Sequence, residues 1–109
     1  MEITQAFKLL SDENKYRIVK LLMNGEKCVC DIAEELNLEQ SLVSHHLNRL
    51  REAGLIVDRK VGSWVHCSLN QKVFEKIEKA FQKDLGTSNI KNVPCSDHES
   101  CCQINTTNL

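Results

Sequence analysis

Two groups of cysteines are the residues in this sequence best suited to chemistry. Cys28 and Cys30 form a pair with one residue between them, and Cys95, Cys101 and Cys102 lie close together near the end of the chain. Thiolates are soft ligands that favour soft ions such as Zn(II), Cd(II) and Cu(I), and trivalent arsenic and antimony share that preference. The residue types therefore predict capture of a soft metal or metalloid ion.

The spacing of Cys28 and Cys30 suits a shared ion if the backbone there begins a helix. Apolar periodicity over residues 29–36 predicts such a helix. A helix N-terminus favours the thiolate, so we expect a lowered thiol pKa. The alternative is that both cysteines pack as small apolar side chains, which is common for a single cysteine. Two cysteines so close together favour the ligand interpretation. The group near the end of the chain lies in a segment with no apolar core, so packing does not explain it.

Three other residues of ligand type are weaker candidates. Cys67 alternates with His66 along a predicted strand, and we interpret it as structural. His46 flanks the apolar side of a predicted helix. Both histidines are expected to pack or to lie on the surface, rather than to bind an ion.

The segment after the cysteine pair predicts a helix that reads DNA. Val43, Leu47 and Leu50 recur at four- and three-residue spacing and form one apolar stripe. The polar side carries Gln40, Ser41, Ser44, His45, Asn48 and Arg49. Such side chains can donate to and accept from base edges in the major groove. The alternative is a polar face that is merely solvated.

A predicted basic hairpin directly after this helix favours the DNA interpretation. Gly54 ends the helix, and two β-prone runs at residues 55–60 and 64–69 are joined by a turn-forming tripeptide. Arg59 and Lys60 stand just before the turn, where they can neutralise phosphates. Together these elements predict a recognition helix followed by a wing.

The remaining segments predict three more helices and a mainly α fold with a small β-hairpin, a winged helix-turn-helix. One helix covers residues 2–10, the next follows a capping Ser11-Asp12 pair, and the last ends at Leu85. The apolar stripe of the last helix is wide for so small a domain. We interpret it, with the first helix, as the interface of a homodimer, and ordinary core is the alternative.

Composition sets bounds on this interpretation. The 109 residues have a net charge of −1, and residues 39–66 carry only four basic side chains against three acidic ones. One copy would hold phosphate weakly, which again favours a dimer. The N-terminus does not have the pattern of a signal peptide, and no apolar run reaches transmembrane length. We expect a cytoplasmic protein without a membrane partner, with a domain at 1–85 and a flexible tail at 86–109.

These motifs resemble the ArsR/SmtB family of metal-responsive repressors, most closely its arsenical-resistance members. The resemblance covers about residues 3–85 and rests on segments 9–12, 27–33, 43–47, 50–56 and 58–66. It implies a dimeric winged-helix repressor that binds double-stranded operator DNA without a cofactor. Binding of As(III) or Sb(III) by Cys28 and Cys30 would then release it. By position, the resemblance also implies that Arg59 and Lys60 lie on the wing and that the polar side of the helix contacts the DNA.

The sequence departs from the family pattern in its cysteines and histidines. Ala33 occupies the position of a third cysteine found in some arsenic-sensing members, and residues 71–85 contain no histidine for the family's zinc-type site. We exclude that zinc site. Three sulfurs on trivalent arsenic require one more thiolate, and we predict that Cys95, Cys101 or Cys102 supplies it from its own or the partner subunit. A variant is that the tail binds a second ion alone.

Several other functions are also compatible with the sequence. The same repressor mechanism could sense a soft divalent ion, Cd(II), Pb(II) or Zn(II), and the cysteines could instead sense oxidants. A metal buffer would bind ions without binding DNA. A thiol enzyme is disfavoured because the sequence has no further partner chemistry, so we predict that the protein is not an enzyme.

Overall fold

A computed structural model describes residues 1–95 of the chain. Its helices are α1 (Ile3–Leu10), α2 (Glu13–Leu22), α3 (Val29–Leu36), α4 (Gln40–Glu52) and α5 (Gln71–Leu85), and its strands are β1 (Lys27–Cys28), β2 (Ile56–Val61) and β3 (Trp64–Leu69). A short 3-10 helix, Thr87–Asn89, follows α5. The mainly helical architecture with a hairpin after α4 confirms the predicted fold class. No helix within residues 1–95 has both the length and the apolar content needed to span a membrane.

Local signals set the helix boundaries as expected. The carboxylate of Asp12 caps α2 by accepting a hydrogen bond of 3.0 Å from the backbone nitrogen of Lys15. Asn37 ends α3 with φ of 55°, and Gly54 follows α4 with φ of 84°. Positive φ reverses the chain after each helix, and asparagine and glycine tolerate it best. These two turns set the direction of α4 and of the hairpin.

The core lies where α2, α3 and α4 meet and is closed by the sheet. Ile18, Ile32, Leu47 and Leu50 are almost fully buried, and Cys67 of β3 is buried with them. The predicted apolar stripe of α4 therefore faces the core, which leaves the polar side outward. Burial of Cys67 confirms its predicted structural role. Its pKa is raised to about 11, first by burial and then by Asp58, so the thiol stays protonated.

The sheet has three strands in the order β1-β3-β2, all antiparallel. The hairpin of β2 and β3 was predicted, but β1 was not, because two residues are too short to show a period. Pairing with β1 sets Cys28 opposite His66, and the same histidine lies opposite Arg59 on β2. The cysteine pair is thus joined by a backbone ladder to the wing.

One apolar surface is left uncovered on α1 and α5. Phe7 and Phe81 meet edge to face with ring centroids 6.2 Å apart, yet Phe81 is 45% exposed and Leu85 is 55% exposed. No residue of α5 is buried. An amphipathic helix normally buries its apolar side, so this surface is what the dimer interpretation requires.

His46 of α4 is buried against α2. Only 7% of it is exposed, and its Nδ1 lies 3.2 Å from the Nζ of Lys15. Burial lowers the pKa of His46 below its usual value, and the charge of Lys15 lowers it further, while Asp12 opposes both and His45 adds a small lowering effect. The neutral imidazole is therefore the form that fits this packing, which confirms that His46 is a packing residue.

Acidification should destabilise the fold through His46. A lowered pKa means that the unfolded chain binds a proton that the folded chain does not, so the free energy of unfolding falls as the pH drops below about 6.5. Urea unfolding at pH 7.5 and 5.5 measures the difference. His46→Gln should flatten this dependence, whereas His45→Gln, at the exposed neighbouring position, should keep it. An unchanged slope in His46→Gln would contradict the assignment.

Candidate functional site

The two cysteines converge at the start of α3. Cys28 is the N-cap residue and Cys30 lies in the first turn, with 3.0 Å between their sulfur atoms. Asp31 brings its carboxylate to the same place, so the ligand atoms of these three residues lie within 4.8 Å of one another. In the part of the chain that the structure describes, this is the cluster able to hold a metal ion. The expectation that the helix start brings both thiols together agrees with this geometry.

The expected lowering of the thiol pKa at this site is wrong for Cys28. Its hydrogen bond with the Cys30 thiol raises the pKa of Cys28 above the ordinary value, and this outweighs the backbone N–H of Asp31, which lowers it. The carboxylate of Asp31 also disfavours the thiolate. The backbone N–H at the helix start acts in the predicted direction, but the hydrogen bond between the two thiols has the larger effect on the pKa of Cys28.

A cavity connects the cysteine pair to both parts of the predicted DNA-binding unit. It has a volume of about 290 Å³ and is lined by Cys28, Val29, Cys30, Gln40, Ser63, Trp64 and Val65. Gln40 is the first residue of α4, and Ser63 to Val65 form the tip of the wing. Anything bound by the two sulfurs would therefore lie in a cavity that the first residue of α4 and the tip of the wing also line.

The tail cysteines can be located only in part. Cys95 is exposed at the end of the described residues. Cys101 and Cys102 lie outside the described residues, as does most of the proposed tail. A third thiolate for Cys28 and Cys30 therefore remains a prediction.

The polar side of α4 is accessible along its length. Ser41, His45, Asn48 and Arg49 are exposed together with Gln40, and Ser44 is partly buried. The Oδ1 of Asn48 accepts a hydrogen bond from Arg51, which leaves its amide N–H groups for another partner. The arrangement presents short donors and acceptors on one helix face, as base reading requires.

Most arginines near this face are already paired with carboxylates. Arg59 of the wing binds both oxygens of Glu26, and Arg49 Nη1 lies 3.9 Å from Glu52 Oε1. Lys60 is exposed and has no acidic partner within residues 1–95. The pKa of Glu26 is lowered and that of Arg59 raised, each chiefly by their mutual hydrogen bond. A phosphate that contacts Arg59 would therefore compete with the carboxylate of Glu26 for the same positive charge.

A second ion pair joins the C-terminal end of α4 to β2 of the hairpin. Arg51 Nε lies 2.8 Å from Asp58 Oδ2, and its Nη2 donates to Oδ1 at 3.1 Å. The thiol of Cys67 donates to the same Oδ1 at 3.4 Å. Sequence reasoning missed the roles of Glu26, Arg51 and Asp58, because pairs between distant segments leave no periodic signal.

Residues 12–57 match the profile of a family described as bacterial regulatory protein, arsR family. The arsenical resistance operon repressor of Escherichia coli is 49% identical over 70 residues, which cover 63% of this chain and 60% of the repressor. A cadmium resistance transcriptional regulatory protein CadC homolog from Staphylococcus aureus is 39% identical over 83 residues, which cover 74% of this chain and 69% of that protein. The chain belongs to the ArsR family.

Membership in the ArsR family confirms the predicted resemblance and the prediction that this chain is not an enzyme, since the family consists of transcriptional regulators. A solved homodimeric winged helix-turn-helix domain from Mycobacterium bovis has the same fold, with a TM-score of 0.60, 22% identity, and coverage of 76% of this chain and 81% of that one. The chain spans only about 60% of the length of the E. coli repressor.

Proposed function

We propose that this ArsR-family protein is a repressor that binds operator DNA as a dimer and is released when trivalent arsenic or antimony binds Cys28 and Cys30. The observation that carries the proposal is the thiol pair with its sulfurs 3.0 Å apart, opening onto a cavity shared with α4 and the wing. A ligand at that point would lie in the cavity that both proposed DNA-contacting elements line, which supports its control of both.

The DNA contacts are assigned to α4 and the wing. Ser41, Ser44, His45 and Asn48 would read base edges in the major groove, while Gln40 stands at the N-terminal end of the same helix. The proposed phosphate contacts are Arg49, Arg59 and Lys60. Only Lys60 among these is without a carboxylate partner in residues 1–95, so the affinity of one protomer should be modest.

A dimer supplies the affinity that one protomer lacks. The exposed apolar surface on α1 and α5, including Phe81 and Leu85, is available to pair with a second copy. Two recognition helices related by a twofold axis would meet two half-sites of a palindromic operator, which doubles the number of phosphate contacts. The M. bovis homodimer of the same fold supports this arrangement.

Fluorescence anisotropy with the DNA upstream of the protein's own gene tests the proposal. Reduced protein should bind that DNA, and titration with trivalent arsenic or antimony should release it at lower concentrations than cadmium or zinc. Absence of binding in low salt would contradict the repressor function. A metal buffer would give that result.

A soft divalent ion is the second candidate inducer. It is favoured by the S. aureus relative, which is named for cadmium resistance, and by the carboxylate of Asp31 near the two sulfurs. Release by cadmium, lead or zinc, but not by arsenic, would support the repressor function and show that the inducer is a divalent ion. Release by peroxide alone, reversed by a thiol reductant, would instead indicate a redox sensor.

Replacing Cys95, Cys101 and Cys102 together with serine should weaken the response to trivalent arsenic. Three sulfurs saturate arsenic, and the described residues bring only Cys28 and Cys30 together, so loss of the tail thiolate should raise the arsenic concentration for half-release at least about tenfold. DNA binding without inducer should not change. An unaltered release curve in the triple variant would rule out closure of the tail over the pair.

A further inference from the structure

Glu26 connects the cysteine site to the wing. It stands two residues before Cys28, and its carboxylate binds the guanidinium of Arg59 with both oxygens. Its Oε1 also lies 3.6 Å from Nδ1 of His66. One side chain therefore contacts β2 and β3 while its backbone leads directly into β1.

The strand register reinforces this connection. Cys28 is paired with His66, and His66 is paired with Arg59, so the three residues form one row across the sheet. A shift of Cys28 along or away from β3 must alter the position of Glu26 relative to Arg59, since Glu26 and Cys28 are joined through Lys27 alone.

Ion binding requires the two sulfurs to move apart. The two sulfurs lie 3.0 Å apart in the structure. Sulfurs bonded to one ion at about 2.3 Å are held roughly 3.3 Å apart at right-angled bonds and roughly 3.8 Å apart at tetrahedral ones. The pair therefore opens when an ion enters, and Cys28 lies at the junction of β1 and α3, where this opening can reach β1.

We propose that Glu26 is the positioning residue through which the cysteine site controls the wing, by competing with DNA phosphate for Arg59. Without an ion, Arg59 exchanges Glu26 for a phosphate when DNA binds. With an ion, the shifted β1 holds Glu26 more closely to Arg59, so that a phosphate no longer replaces the carboxylate and the wing loses that DNA contact. The sign of this coupling rests on the proposed function, because the ion is assigned the role of releasing DNA.

Glu26→Gln tests the competition for Arg59 in the reduced, ion-free protein. Without the carboxylate of Glu26 beside it, Arg59 should tighten DNA binding about two- to fivefold per protomer. This factor corresponds to the energy of a partly exposed ion pair. The slope of log affinity against log salt should steepen by up to about 0.9 per protomer, because Arg59 then contacts phosphate in every complex and not only in the fraction in which phosphate displaces Glu26. Glu34→Gln, the same change at an exposed position of α3, serves as the charge control and should give a smaller effect on both.

A double-mutant cycle separates Glu26 acting through Arg59 from a general charge effect. In the Arg59→Gln background, Glu26→Gln should change neither the affinity nor the salt slope. An equal effect of Glu26→Gln with and without Arg59 would overturn the proposal, as would a single variant that behaves like the Glu34→Gln control.

Coupling to the ion is measured by adding trivalent arsenic to each variant. The ratio of DNA affinities without and with arsenic should be several-fold smaller in Glu26→Gln than in the unaltered protein. Trp64 is the single tryptophan and lines the cavity, so its fluorescence should report unchanged arsenic binding. An unchanged affinity ratio would overturn the coupling. If arsenic fails to release even the unaltered protein, the proposed function fails, while the ion-free cycle still decides the role of Glu26.

Discussion

Replacing Cys28 or Cys30 with serine is expected to abolish the response to trivalent arsenic while DNA binding remains. A serine hydroxyl does not replace a soft thiolate ligand. Even loss of a group that only supports a metal ligand costs roughly 10- to 100-fold in affinity, so the concentration for half-release should rise by more than about 100-fold. DNA affinity in the absence of ion should stay within about twofold, because neither sulfur lies on the polar side of α4. Anisotropy titration of the DNA complex measures both quantities.

Cys67→Ser is the matched control for this experiment. It makes the same chemical change at a buried thiol that lies beside Asp58 and does not line the cavity. This variant should respond to arsenic like the unaltered protein. Retention of the response in Cys28→Ser and Cys30→Ser would exclude the pair as the inducer site and direct attention to Cys95 and the residues after it.

Asn48→Asp is expected to weaken DNA binding strongly, although it hardly changes the shape of the side chain. The substitution replaces the amide donor with a carboxylate oxygen and adds a negative charge at the centre of the exposed face of α4. One good base contact is worth about 1–3 kcal/mol, and repulsion from the phosphates adds to its loss. We therefore expect binding to weaken by about 10- to 100-fold per half-site, measured by anisotropy at constant salt.

The fold should tolerate this change, because the Oδ1 of residue 48 keeps its contact with Arg51. Asn92→Asp makes the identical substitution at an exposed position beyond the 3-10 helix and controls for net charge. It should bind DNA almost normally. If the two variants lose affinity equally, α4 is not the element that reads the operator.

Much of the fold was predictable because its signals are local. The stripe of Val43, Leu47 and Leu50 predicted which side of α4 faces the core, and Gly54 predicted its end. Asp12 was predicted as a cap and forms one. The strand β1 was missed, since its two residues are defined by pairing with β3, a contact that spans about forty positions of the chain.

The residues of the candidate site were predictable from the sequence, but their ion pairs and pKa shifts were not. The close spacing of Cys28 and Cys30 predicted their convergence, which the structure shows. The sequence could not indicate that Glu26 pairs with Arg59, because the partners stand 33 residues apart. It also could not indicate that the neighbouring thiol, rather than the helix N-terminus, dominates the pKa of Cys28.

The claim that arsenic releases the protein from DNA is tested most directly by thermodynamic reciprocity between the arsenic site and the DNA-binding surface. If arsenic weakens DNA binding, then DNA must weaken arsenic binding by the same factor. Titration of the reduced protein with trivalent arsenic, followed by Trp64 fluorescence, should be made with and without saturating operator DNA. We expect a lower arsenic affinity in the presence of DNA, by the factor that anisotropy gives for release. Equal arsenic affinity in both titrations would contradict it.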